Sequence, residues 1–135
     1  MFSKASGYAI RATVFLSSLD KPTAYTSPKY IAENLNIPVH YTVKILRRLA
    51  AEKIIDSSKG PNGGYRLNKQ TLSTPLLKIL EVLGDESSLT SCALSLSKCS
   101  SQDPCLIHHM ILPAREQLQL KFRDVTINDL LSKSQ

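Results

Sequence analysis

The chain has 135 residues, 42% of them hydrophobic, enough for one sizeable core and too few for two globular domains of ordinary size. Its formal net charge of +6 is unevenly placed: residues 1–70 carry eleven Lys/Arg against four Asp/Glu, and residues 71–135 carry six against seven, so the footprint of a polyanion binder falls on the first half. Three cysteines within Cys92 to Cys105 make a poor disulfide framework, and no apolar run suits a signal peptide or a membrane span, which predicts a soluble, cytoplasmic protein with no membrane partner.

Tyr8, Ala12, Phe15, Leu16 and Leu19 recur at helical spacing and predict a first helix over residues 3–19, ending at the polar stretch Asp20-Lys21-Pro22-Thr23. Ser27-Pro28 supplies an N-cap and a first-turn proline for a short second helix through Ile31, Ala32 and Leu35. The chain turns at Asn34-Leu35-Asn36-Ile37-Pro38, because Pro38 cannot continue one helix but can open the next, which runs to about Glu52. Two short helices joined by such a turn suggest a helix-turn-helix. On the third helix Thr42, Ile45, Leu46 and Leu49 form a core face, and His40, Lys44 and Arg47 lie opposite, flanked by Tyr41 and Arg48.

Residues 54–58 and 65–67 are strand candidates separated by Lys59-Gly60-Pro61-Asn62-Gly63-Gly64, where Asn62-Gly63 marks a hairpin turn. This hairpin is read as a wing. Ser73-Thr74-Pro75 opens a fourth helix through Leu76, Leu77, Ile79, Leu80 and Leu83, stopped by Gly84. A Ser-rich loop then carries the cysteines. From about Cys105 a long helix places Ile107, Ile111, Leu118, Phe122 and Val125 on one stripe, more apolar surface than it can bury alone, which points to a second subunit. Pro113 is expected to kink that helix or displace its regular start, and Thr126-Ile127-Asn128-Asp129 resembles a capping box for a last short helix with Leu130 and Leu131.

The fold class expected is therefore mainly α with a small β-hairpin: a winged helix-turn-helix plus a long C-terminal dimerisation helix. One compact unit would divide into the winged region at 1–70, a connecting helix at 71–84, the cysteine loop at 85–104, and the dimerisation and terminal helices at 105–135. A recognition helix reads base edges from its N-terminal residues while neighbouring cations hold phosphate. His40, Tyr41 and Lys44 are the base-edge candidates, with Arg47 and Arg48 on phosphate. In the wing, Lys59, Gly60, Asn62, Gly63 and Arg66 can approach the backbone or the minor groove, although a tight turn needs such glycines in any case. Ser27 and Tyr30, at a helix N-terminus, are weaker phosphate candidates, since cap chemistry alone accounts for Ser27.

The cysteine spacing is Cys92-x6-Cys99-x5-Cys105-x2-His108, with His109 adjacent. Thiolates favour iron–sulfur clusters, and one imidazole can replace a thiolate, so three sulfurs and one histidine complete a four-ligand set. Tetrahedral zinc would take the same donors but usually includes a close Cys-x2–4-Cys pair, absent here. A metal-free thiol switch is the other alternative. An enzyme is disfavoured, because the chain offers no Gly-rich nucleotide loop, no paired carboxylates near the cysteines and no substrate-sized second domain.

The stretch Phe2-Ser3-Lys4-Ala5-Ser6-Gly7-Tyr8-Ala9-Ile10-Arg11-Ala12, the wing Lys59-Gly60-Pro61-Asn62-Gly63-Gly64-Tyr65 and the trailing cysteine loop together resemble a known family over essentially the whole chain. It is the family of bacterial winged-helix transcription regulators that includes the iron–sulfur regulator IscR, the nitric-oxide-responsive repressor NsrR and the cysteine-metabolism repressor CymR. The resemblance implies a homodimer held by the helix after the cysteine loop, reading a pseudo-palindromic DNA operator. It also implies an iron–sulfur cluster, of 2Fe–2S type ahead of 4Fe–4S, on Cys92, Cys99 and Cys105. IscR-like members carry a histidine three residues after the third cysteine, where His108 stands. Others take an acidic residue near the partner's N-terminus, and this sequence has none before Asp20. The loop departs from the IscR-like pattern in having six rather than five residues between Cys92 and Cys99. Some relatives respond to a partner protein instead of a cofactor.

Overall fold

The computed structural model describes residues 2–94 and 100–132. Its elements run α1 (Lys4–Ser18), α2 (Pro28–Leu35), α3 (Val39–Ala51), β1 (Ile55–Ser58), β2 (Gly64–Leu67), α4 (Leu76–Val82), α5 (His108–Asp124) and α6 (Ile127–Leu131), with short 3-10 turns at Thr71–Ser73 and Glu86–Leu89. The fold is mainly helical with one antiparallel hairpin, as the sequence predicts.

Local chemistry places the first three helices. Ser3 caps α1 by accepting from the Ser6 amide, and Ser27 caps α2 by accepting from the Tyr30 amide, with Pro28 in the first turn. Asn36 ends α2 in the left-handed conformation at φ +55°, a role that asparagine tolerates better than most residues. Pro38 then stands at the N-cap of α3. Thr42, Ile45, Leu46 and Leu49 are all buried, so the core face of α3 is the one its periodicity predicts.

In α1 the buried face differs from the expected stripe. Ser6, Ala9, Ala12, Thr13 and Leu16 are buried, whereas Tyr8, Phe15 and Leu19 are half-buried at its edge. The physical reason is crowding. α1 touches α2, α3, α4, α6 and β2, and backbones approach that closely only over small side chains. Thr13 meets the same demand by donating its hydroxyl to the Ala9 carbonyl at 2.7 Å.

The hairpin pairs Ile55 with Leu67, Asp56 with Arg66, Ser57 with Tyr65 and Ser58 with Gly64. Its turn is not centred on Asn62-Gly63. The Gly63 amide donates to the Gly60 carbonyl at 3.0 Å, which puts Pro61 and Asn62 in the middle. A two-residue Asn-Gly turn needs positive φ at both residues. Here positive φ falls on Gly60 and Gly64 instead, and Pro61 presets the negative φ that an ordinary turn wants at that place.

α4 closes on Gly84 (φ +72°), whose amide donates to Glu81 while that of Asp85 donates to Leu80 at 2.8 Å. α5 starts at His108, three residues later than expected, and keeps Pro113 inside its span. The expected capping box is present on α6: the Thr126 hydroxyl accepts from the Asp129 amide, and the Asp129 carboxylate accepts from the Thr126 amide at 2.9 Å. A bridge between Pro75 and Thr126 brings the chain end back, so that Ile127 joins Leu16, Leu46, Leu49, Ile55 and Ile79 in one core. No helix among the described residues is long and apolar enough to cross a membrane.

Candidate DNA interface and cysteine loop

The buried face of α3 fixes where its polar face points. His40, Lys44 and Arg47 are exposed, while Tyr41 is half-buried with its ring edge-on to Tyr8, the centroids 5.6 Å apart. Tyr41 therefore anchors the start of α3 to α1 as well as bordering the polar face. Arg47 and its neighbour Val43 line a groove with Ser27, Pro28 and the wing residues Lys59, Gly60 and Gly63. Five of the predicted contact residues meet there. Lys59 and Asn62 stand exposed at the wing tip.

The wing is held to α2 by backbone pairing that the sequence does not announce. Thr26 and Tyr65 exchange amide-to-carbonyl hydrogen bonds of 2.9 Å each, directly before the Ser27 cap. Gly64 makes this possible. Its φ is +138°, and a Cβ there would lie 2.1 Å from the Thr26 carbonyl oxygen. Thr26, Val43 and Gly64 thus shape the groove, and the only trace in the sequence was the doubled glycine before Tyr65.

Two arginines expected at the DNA, Arg66 of the wing and Arg48, also make contacts within the chain. Arg66, at the base of the wing, pairs with Asp56 across the strands at 3.6 Å, lies over the Tyr25 ring at 4.3 Å and reaches the Thr23 carbonyl. Arg48 donates from Nη2 to the Val82 carbonyl at the end of α4, at 2.6 Å. Tyr30 is exposed beside Phe15, with ring centroids 6.1 Å apart.

Between the two halves Asp85 accepts hydrogen bonds from the Ser3 amide (2.7 Å) and from the Ser6 (2.9 Å) and Ser88 (3.0 Å) hydroxyls. Burial raises its pKa, but the Ser3 amide and the serine hydroxyls outweigh this and hold the carboxyl below its ordinary 3.8. α1 has no acidic residue in its first turn. Asp85 supplies that negative charge from the far end of α4.

Cys92 is buried and Cys105 half-buried. Cys99 lies outside the described residues. The His108 amide donates to the Cys105 carbonyl at 3.1 Å, and the His108 side chain is 4% exposed, its ring edge-on to exposed His109. Cys92 shares a groove with Ile111, one turn beyond His108, and with Arg115 and Leu118. Cys92 thus faces α5 from the preceding loop, Cys105 stands three residues before that helix, and His108 opens it. Among the described residues no three His, Cys, Asp or Glu side chains are grouped to hold a metal ion.

The model of the Rrf2 family, described as an iron-dependent transcriptional regulator, matches residues 2–133. The chain belongs to the Rrf2 family. Rrf2 proteins are DNA-binding transcriptional regulators, not enzymes. A protein of Aquifex aeolicus (strain VF5) named as an HTH-type transcriptional regulator is 31% identical over 134 residues, covering 98% of this chain and 92% of that one. The HTH-type transcriptional regulator IscR of Klebsiella pneumoniae (strain 342) is 24% identical over 128 residues, 95% of this chain and 77% of that one. Among solved structures, CymR, the global cysteine regulator of B. subtilis, matches with a TM-score of 0.78 at 20% identity, covering 100% of this chain and 98% of that one. T. potens IscR matches at 0.71 and 18% identity, covering 100% and 88%. At these identities the two structures establish the Rrf2 fold.

Proposed function

We propose that this Rrf2 regulator binds a pseudo-palindromic operator as a homodimer and senses redox state, iron–sulfur status or nitric oxide through a cluster on Cys92, Cys99, Cys105 and His108. The observation that carries the DNA half is the single groove where α3, the start of α2 and the wing converge. α3 enters the major groove with His40, Tyr41 and Lys44 toward base edges. Arg47, Lys59 and the Ser27 end of α2 hold the adjacent backbone, with Asn62 at the wing tip.

For the sensor, the donor chemistry fits the group: three thiols and an imidazole, of which Cys92 and His108 are screened from water and Cys105 is half so. A bound cluster supplies a redox-active centre of changeable charge. Cys92 faces α5 from the segment after the second 3-10 turn and His108 opens α5, so a change in either is felt by the helix expected at the subunit interface. A second reading, a metal-free switch, is favoured by the half-exposed Cys105 thiol, the chemistry that oxidation requires.

An anaerobic visible spectrum with iron and sulfide analysis separates the two. Wild type should show visible absorption with matched iron and sulfide, lost in Cys99→Ala and altered in His108→Ala. A colourless, iron-free wild type that still binds DNA would overturn the cluster and leave the thiol switch.

A further inference from the structure

We propose that Arg48 does not contact phosphate but is a positioning residue, coupling the recognition helix α3 to the segment that bears Cys92. Its guanidinium spans from α3 to the Val82 carbonyl, 34 residues on, with a 2.6 Å hydrogen bond. That carbonyl is among the last of α4 and lies at the negative end of the helix, where a cation is favoured.

From Val82 to Cys92 the chain is pinned repeatedly. Asp85 takes the Ser3 amide and the Ser6 hydroxyl of the α1 start. Leu89 is buried, and its carbonyl accepts from Gln119 Nε2 at 2.8 Å. The Ser91 carbonyl accepts from Arg115, one turn earlier on α5. Directional bonds at both ends and in the middle leave little slack in this stretch. A displacement at Cys92 is passed along it to Val82 and through Arg48 to α3. Both arginines are exposed, but only Arg47 lines the groove with the wing, and it is left as the phosphate ligand.

The test compares full-length wild type, Arg47→Ala, Arg48→Ala and Arg48→Lys, each with Cys92 intact or as Cys92→Ser, after circular dichroism confirms folding. Affinity is measured across salt concentrations on a duplex selected by the wild-type protein from a random-sequence pool, and on a random duplex of equal length. Arg47→Ala should flatten the dependence of log K on log salt by about 0.9 for each phosphate no longer neutralised, and weaken both duplexes in proportion. Arg48→Ala should keep the wild-type slope, lose tenfold or more on the selected duplex and less than twofold on the random one. Arg48→Lys, which retains a donor, should recover part of that loss. Cys92→Ser should change affinity in the wild-type background, and in the Arg48→Ala background the same substitution should change it by less than twofold.

A slope that falls for Arg48→Ala as it does for Arg47→Ala, with both duplexes weakened equally, overturns the proposal; if Arg48→Ala does not fold, Arg48→Gln, which removes the charge and keeps a donor, is read in its place. The coupling half rests on the cysteine loop being the sensor. Equal binding by wild type and Cys92→Ser overturns that reading and the coupling together, while the salt slope still decides whether Arg48 touches phosphate.

Discussion

Single residues carry specific duties in this chain, and Asp85 is the clearest. Its carboxylate, held below 3.8 by the Ser3 amide and the Ser6 and Ser88 hydroxyls against the opposing effect of burial, caps a helix 82 residues away in sequence. A lowered folded-state pKa stabilises the fold above the unfolded carboxyl value, and the contribution disappears as pH falls through the folded value. Asp85→Ala should therefore cost about 1 kcal/mol near neutrality, the size of a lost helix cap. The gap to wild type should close below about pH 4, as urea midpoints from pH 7 to pH 3 would record. The same scale separates three arginines of similar sequence context. Arg47 lines the groove, Arg48 donates to the Val82 carbonyl, and Arg66 contacts Asp56, Tyr25 and Thr23.

At the scale of elements, the wing owes its orientation to one pairing. The Thr26–Tyr65 bridge fastens β2 to the N-cap of α2, and Gly64 permits it by having no Cβ to strike the Thr26 carbonyl. Gly64→Ala adds that clash to a conformation L-residues rarely adopt, and should cost about 2–3 kcal/mol. Faster amide exchange at Thr26 and Tyr65, ahead of the core, would place the damage in the wing. α5 shows the opposite economy. Among the described residues His108 alone of this helix is fully buried, and Met110 is 78% exposed, as is Leu106 at 96% just before the helix. Ile111, Leu118 and Phe122 remain half-exposed on the predicted stripe. If α5 joins two copies, Leu118→Glu should shift the protein to monomer in sedimentation analysis while leaving the helical spectrum intact. Unchanged dimerisation would move the interface off this stripe.

For the whole molecule, the decisive feature is that both chain ends close one core. Ile127, fully buried, packs with residues of α1, α3 and α4, so the DNA-binding half and the last helix share a hydrophobic centre. Ile127→Ala should cost about 2–5 kcal/mol. It should lower a single unfolding transition followed by both helical signal and tyrosine fluorescence, since Tyr65 sits in the same core. Two separated transitions would show that the terminal helix folds apart from the winged region.

Much of this was legible in the residues themselves. The caps at Ser27 and Thr126, the turn before Pro38, the core face of α3 and the hairpin follow from local chemistry and periodicity, which act within a few residues. The candidate ligands Cys92, Cys105 and His108 were legible as donors by type and spacing, and so was the basic face of α3. What tertiary structure decided lies beyond that range. Four of the five buried residues of α1 are small, with Leu16 the exception, because neighbouring elements crowd this helix. Arg48 and Arg66, though still solvent-accessible, gain partners within the fold because the Val82 carbonyl of α4 and the Asp56 carboxylate of the opposite strand arrive beside them. A residue's type sets what it can bind, but which partner reaches it first depends on packing between elements far apart in sequence, and that is fixed only when the core closes.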